Sequence, residues 1–422
     1  MSNKTVLRIL AFVLFITIAT MVVGCSSDDE VSDGDAVDKE MSSATPAPSE
    51  SIKITIGNHS DLTGVSSNAM ILVTRSLEDM ADYYNEENLI PGVELEVITY
   101  DGQYNPAYDI PGYHWLKERG ADVFFTGIAP ASITLKPLLE DDQMVMFTVT
   151  PPTKAFQPPG RVFAAGNTLA QWDATTVLKW VTENDPDFPA DRPAKVGGAF
   201  WSEDYGADCL AGAKGYALAH PEQYEWEGGF LNEWSFIWDT EVQKLKDCDY
   251  VFPPIPLNQF VRQYRDAGYT AKFIGTDAHL AFLGMIDDAD LWEELDGMWF
   301  IKCGQWWNDE GEIVELTKQL LQKYHPDEAD SIIRSGISYL GTQQVYIMLE
   351  LIKETVETVG VDNFFPSAIY DTAQSFSITV DGCPHSYGET KRTSNDGLAV
   401  YQMRAAEKDI FRVHVEWLPI VK

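Results

Sequence analysis

The residues of this chain that could do chemistry lie where short apolar runs end. Asp122-Val-Phe-Phe-Thr-Gly127 closes on a threonine and a glycine, and Met144-Val-Met-Phe-Thr-Val-Thr150-Pro-Pro152 closes on a threonine and two prolines. A helical segment separates them, so the stretch from Ala121 to Pro152 reads as one strand–helix–strand unit. Ligands of open parallel sheets sit beyond the carboxyl ends of the strands, which places Thr126, Gly127 and Thr150 at a cleft mouth. Small and hydroxyl-bearing residues there suit a ligand held by backbone N–H groups and Ser/Thr hydroxyls.

Two later loops carry further candidates. Trp201-Ser-Glu-Asp-Tyr-Gly206 follows a strand over Ala194–Phe200, and Thr276-Asp-Ala-His279 follows one over Ala271–Gly275. Trp201 and Tyr205 are open to two readings, cleft wall or core packing; as walls they would meet flat or cationic solutes face on. Asp277 is either a ligand contact or a helix cap. Asp101 and Asn105 read as loop-shaping contacts, and Trp306-Trp307 as an aromatic face of either core or surface. These groups compose no catalytic set. H-E-x-x-H, G-x-S-x-G and G-x-x-x-x-G-K-[ST] are missing, and no two of the seven histidines stand at i, i+4. The expectation is a protein that is not an enzyme and uses neither cofactor nor metal. Cys209, Cys248, Cys303 and Cys383 show no C-x-x-C spacing. A disulfide between Cys209 and Cys248 and a set of free thiols are both open readings.

The elements that must position these groups alternate. A strand over Lys53–Gly57 precedes a helix over Ala69–Asn85, whose Met70, Val73, Leu77, Met80 and Tyr84 fall on one face. A strand over Val93–Tyr100 and a helix over Tyr108–Arg119 lead into the strand–helix–strand unit. The alternation then repeats from Thr168 to Lys302, which predicts two doubly wound α/β lobes in succession. Long helices over Glu312–Lys323 and Gly341–Thr358 follow, then closing strands within Phe376–Trp417.

The chain has 422 residues, too many for one ordinary domain. Thirty Lys and Arg against 65 Asp and Glu give a formal charge of −35, which argues against nucleic acid as a partner. Lys4 and Arg8 precede an apolar run from Ile9 to Val23, too short for a membrane span and suited to an export signal. The run ends in Val22-Val23-Gly24-Cys25, which resembles a bacterial lipobox, so Cys25 is expected to carry a lipid. Residues 25–52 are acidic and lack aromatics, as a disordered tether would.

Asp101-Gly-Gln-Tyr-Asn-Pro106 resembles the D-x-x-x-[ND]-P loop of solute-binding proteins of branched-chain amino-acid type transporters. Asp61-Leu-Thr-Gly64 is similar to that family's first-strand loop. The stretch from Gly127 to Pro152 is similar to its G-P-x-x-S segment and following S-P-[SA], and Asp204-Tyr205-Gly206 to its Y-G loop. The resemblance implies the periplasmic-binding fold of the first type, two lobes joined by three crossings. The lobes would be residues 53–168 plus about 303–365, and 169–302 plus about 366–422. It further implies a carboxylate held at Ser132 and Thr150, an ammonium facing Asp277 and Tyr205 as a cover, with Asp61, Thr126, Gly127, Ala129 and Trp201 nearby. The chain departs from the pattern where Ala129-Pro-Ala-Ser132 replaces paired serines, Gly127-Ile128 replaces Gly-Pro, and Thr150 and Pro152 replace Ser and a small residue. The implied function is capture of a small solute (an amino acid, an amide or a small aromatic or organic acid) for an ABC permease. A sensing module of the same fold that feeds a membrane receptor is the alternative.

Overall fold

The computed structural model describes residues 51–422. The signal segment, Cys25 and all but the end of the tether lie outside the described residues. The chain first forms β1 (Ile52–Ser60), α1 (Ser67–Glu86), β2 (Val93–Asp101), α2 (Asp109–Glu118), β3 (Val123–Thr126), α3 (Ala129–Asp142), β4 (Met146–Thr148) and β5 (Val162–Ala164). The strands make a parallel sheet in the order β2-β1-β3-β4-β5. β3 and β4 are buried at every residue. Helices cover both faces of such a sheet, so its inner strands are buried along nearly their whole length. Each Phe or Met so buried contributes roughly 1.5–3 kcal/mol. Thr126 pairs with Thr148 and Thr148 with Ala164, which brings the strand ends level. The loops that follow therefore emerge along one edge.

The second stretch holds α4 (Ala170–Asn184), β6 (Ala194–Trp201), α5 (Asp204–Ala219), β7 (Tyr224–Asn232), α6 (Asp239–Lys244), β8 (Tyr250–Phe252), α7 (Asn258–Asp266), β9 (Lys272–Gly275), α8 (Leu283–Asp288) and β10 (Trp299–Lys302). The third holds α9 (Glu312–Tyr324), α10 (Ala329–Ser335), α11 (Thr342–Val359), α12 (Pro366–Ala373), β11 (Ser377–Val380), β12 (Cys383–Ser386), β13 (Gly397–Arg404), β14 (Asp409–Arg412) and β15 (Leu418–Pro419). A second sheet runs β14-β13-β10-β9-β8-β6-β7, with β15 on β13. Its strands β6 to β10 are parallel to one another, and β13 is antiparallel to β10. α4 and α5 pack closely over it because Gly212 has no side chain. A Cβ there would lie 2.2 Å from the Gln171 carbonyl oxygen.

Two features differ from the sequence expectation, and a third decides between two open readings. β7 was not anticipated, since Gly228-Gly229 at its centre looks like a turn; the pair instead follows a bulge opposite Val196-Gly197, beyond which the ladder continues. The return to the second lobe is later than residue 366. Ile369, Ala373, Phe376, Val380 and Tyr387 share a core with Ile54, Leu77 and Met348 of the first lobe. The chain joins the second sheet only at Gly397, because α12 packs its apolar face on α11. Finally, Cys209 and Cys248 are free, buried thiols. The bare positions of Gly197 and Gly198, neighbours on β6, face Leu245 with Cys248 and Leu210 with Phe252 respectively. Adjacent strand residues point to opposite faces, so Cys248 and the α5 residue Cys209 lie on opposite sides of one sheet, in separate cores.

The chain passes between lobes after Ala164, after Lys302 and before Gly397. The first and third passages lie together: Ala164 N donates to Arg392 O at 2.8 Å, and Gly166 N to Ser394 Oγ at 3.0 Å. Among the described residues no helix is long and apolar enough to cross a membrane.

Candidate functional site

The strand-end loops of the two sheets face each other across a cleft made of two joined chambers. The inner one, about 620 Å³ and partly open to solvent, is bounded by Asn167, Thr168, Asp173, Asp277, Cys303 and Gln344 among others. The outer one, about 750 Å³ with the solvent at its open side included, is bounded by Tyr104, Trp201, Glu203, Trp234 and Phe282 among others. Ala69, Met70, Thr150, Tyr205, Ala278 and Ala281 border both. At the mouth a third space adds Asp109 and Asp204. No Lys, Arg or His borders any of the three among the described residues.

The inner chamber is built at the end of β10 and the start of α4. Thr168 Oγ1 donates to Asp173 Oδ1. Asp277 Oδ2 accepts from the Cys303 backbone N–H at 2.8 Å, and its Oδ1 stands 3.9 Å from Lys302 Nζ. Among the described residues neither Asp277 Oδ1 nor Lys302 Nζ has a hydrogen-bond partner. Burial pushes the Asp277 carboxyl up and the Lys302 ammonium down, each opposed by the other's charge. Burial likewise pushes Asp173 up to about 8, against the hydrogen bond from Thr168.

That shift sets a pH dependence. An unfolded Asp ionises near 3.9, so between about pH 4 and 8 the unfolded chain releases a proton that the folded chain keeps. Stability falls over that window, by up to about 1.4 kcal/mol per pH unit from this group. Asn keeps the shape of the protonated acid and accepts from Thr168 in the same way. Asp173→Asn is therefore expected to flatten the decline, and urea unfolding at pH 5, 6.5 and 8 would show it. Parallel pH profiles for the variant and the parent would refute the assignment.

The outer chamber is aromatic. Trp234 lies 5.8 Å from Tyr104 and 5.0 Å from Trp201 between ring centroids, and Trp201 lies 5.1 Å from Phe236. Tyr104 comes from the first lobe and the others from the second, so the aromatic row spans the cleft. Tyr104 is presented by a tight loop in which the Asp101 carboxylate accepts from Leu62 N, Thr63 Oγ1 and Gln103 N at 2.9, 2.7 and 3.1 Å. Gln103 and Tyr104 have φ of 54° and 50°, and Trp234 has φ of 59°. Non-glycine residues seldom adopt that left-handed backbone, and it costs roughly 1 kcal/mol or more per residue. Glu203 caps α5, accepting from Tyr205 N at 2.7 Å and from Gly206 N. Burial pushes its carboxyl up to about 7 against those two backbone donors.

Residues 53–217 match the family model described as periplasmic binding protein. A branched-chain amino-acid ABC transporter protein from Thermus thermophilus, solved with bound valine, superposes with a TM-score of 0.73 at 16% identity, over 87% of this chain and 96% of that one. The fold is that of the type I periplasmic binding proteins. A fatty-acid ABC transporter substrate-binding protein from Thermomonospora curvata gives 0.72 at 15% identity, over 86% and 91% of the two chains. A solute-binding protein from R. palustris in complex with 4-hydroxybenzoate gives 0.69 at 16% identity, over 87% and 97%. Among curated proteins no sequence matches the chain.

Within this type I fold, Gly127, Ala129, Thr150, Trp201, Tyr205 and Asp277 border the cleft. Three other candidates do not. Asp61 is fully buried; its carboxylate accepts from Gly64 N, Ser66 N and Ser66 Oγ at 2.5, 2.8 and 2.7 Å and so shapes the loop before α1. Thr126 Oγ1 donates to His59 O and accepts from Ile128 N. Ser132 lies one turn into α3 with its hydroxyl donating to Ala129 O at 2.7 Å. In place of serines at the helix start stand Ala129 and Pro130, which offer the cleft no hydroxyl. Trp306 and Trp307 are buried in the second core.

Several cleft residues escaped the sequence reading. Cys303 follows β10, and Lys302 at the end of that strand stands behind the cleft residue Asp277. Asp173 sits in a helix with no local sign that its carboxyl faces a cavity. Tyr104 was within the D-x-x-x-[ND]-P loop, so the loop that carried the resemblance also marked a cleft wall. Trp234 follows the strand that its own glycines concealed.

Proposed function

We propose that the protein is an extracytoplasmic solute-binding protein that captures a small solute between its lobes and delivers it to an ABC permease, without catalysing a reaction. The observation that carries this reading is the cleft itself. Its two chambers are lined from both lobes of a type I periplasmic-binding fold, and the lobes connect through three chain passages that can act as a hinge. The named neighbours, which include proteins bound to valine and 4-hydroxybenzoate, support the class of function. Cys25 as a lipid anchor belongs to the same proposal and rests on the lipobox-like sequence.

A ligand that binds only the folded state raises the melting temperature, by about 2.7 kcal/mol of stabilisation at one hundred times Kd. Thermal-shift measurements against amino acids, amides, aromatic acids, short-chain acids and organic amines are expected to find at least one saturable stabilising solute. A panel with no hit, or a solute that is chemically converted on incubation, would sink the reading.

A further inference from the structure

The charges and hydroxyls of the cleft are arranged unlike a carboxylate site. Of the hydroxyls implied for a carboxylate, Thr150 borders the cleft and directs its proton to Gly127 O, while Thr126 and Ser132 lie off the cleft and direct theirs to His59 O and Ala129 O. Among the described residues no cationic side chain borders the chambers. The Lys302 ammonium stands 3.9 Å from Asp277 Oδ1 and does not border the inner chamber, and Lys154 pairs with Asp204 at 2.6 Å. A bound anion would thus meet carboxyl groups and no compensating positive charge.

The aromatic row points the other way. A π face attracts cations, and rings grouped around a carboxylate form the cage that holds alkylated ammonium groups. Trp234 is 40% exposed, so core packing does not require it; a left-handed residue nonetheless holds it against Tyr104. Tyr104 is held in the same backbone conformation from the opposite lobe. Strain kept at two facing aromatic positions is a mark of function.

We propose that the outer chamber binds an organic cation, a small alkylated ammonium compound with an apolar body, its charge against Tyr104, Trp201 and Trp234 and countered by Glu203. This rests on the solute-binding reading and narrows its substrate class. Closure is part of the recognition, since the cage has walls on both lobes. The formal charge of −35 over the whole chain also raises the local concentration of cations.

The test uses three probes of nearly equal shape: choline, its uncharged isostere 3,3-dimethylbutanol, and the anion 3,3-dimethylbutyrate. Each is titrated into the full chain and followed by tryptophan fluorescence and thermal shift. Choline is expected to bind at least ten-fold more tightly than the alcohol, and the anion not at all. Trp234→Leu, at an exposed position, is expected to weaken choline about ten-fold. Glu203→Gln is expected to remove most of the preference for choline over the alcohol. Equal binding of alcohol and choline, binding of the anion, or no binding of choline at millimolar concentration each overturns the proposal. If choline fails while an amino acid or aromatic acid binds, the cation inference falls and the solute-binding reading stands. If every solute of both panels fails, both fall.

Discussion

Asp277→Ala is expected to lower the unfolding free energy by about 3–5 kcal/mol, the usual cost of removing one partner of a buried ion pair. The reason lies behind the cleft. Lys302 is buried, its ammonium has no hydrogen-bond partner among the described residues, and the Asp277 carboxylate 3.9 Å away is its first counter-charge. Without it the buried ammonium loses its largest opposing charge and keeps the weaker one of Asp309. Its folded-state pKa then falls further below that of an unfolded lysine, near 10.4. The unfolded chain binds the extra proton, so the deficit is greatest at low pH and shrinks as pH rises through the depressed value. Adding Lys302→Met to Asp277→Ala removes the stranded charge and is expected to restore most of the loss. Urea unfolding of parent, single and double variants from pH 6 to 9 measures this. A single-variant loss under 1 kcal/mol, or a double variant no better than the single, would contradict it. The result also bears on ligand chemistry, since the carboxylate implied as an ammonium partner already has a lysine to neutralise.

Ala281→Trp is expected to abolish solute binding, weakening any ligand found by the thermal-shift panel by at least about a hundred-fold, or 2.7 kcal/mol, while the unliganded melting temperature moves little. Ala281 lies on the short turn of helix Asp277–Phe282 and borders both chambers. An indole there fills the passage between them from a half-buried position, so it displaces ligand without forcing an ordered core apart. Isothermal titration of parent and variant with the same ligand decides the matter. Retention of affinity within three-fold would place the binding site outside this cleft.

The parts of the fold legible in the sequence are those where local pattern and tertiary role agree. The apolar runs of β3 and β4 are buried on both faces, and such a run needs nothing beyond its own residues to be read. α1 showed its face through Met70, Val73, Leu77, Met80 and Tyr84, of which all but the spacing follows from packing on the first sheet. The cleft was legible as a place because strand ends of a parallel sheet define it. Its chemistry was less so. Thr126 and Ser132 carry hydroxyls whose direction depends on χ1 and on a carbonyl within reach, and neither is written in residue order. Asp173 and Lys302 acquire their character from burial among residues far away in the chain. Tyr104 and Trp234 face each other only because two loops from different lobes take an uncommon backbone conformation.

The shared core of the first lobe has a consequence for how the molecule is made. Ile54 and Leu77 pack with Met348, Ile369 and Phe376, partners supplied near the two ends of the chain. A ribosome delivers the first sheet long before the helices that cover one of its faces. That sheet must wait, incompletely covered, through synthesis of the whole second lobe. Pairing across such a span also makes assembly slow, since loop closure precedes any gain from contact. A chain that cannot complete its first domain until nearly all of it is present stays pliable, which is the state in which a polypeptide can be threaded through a pore.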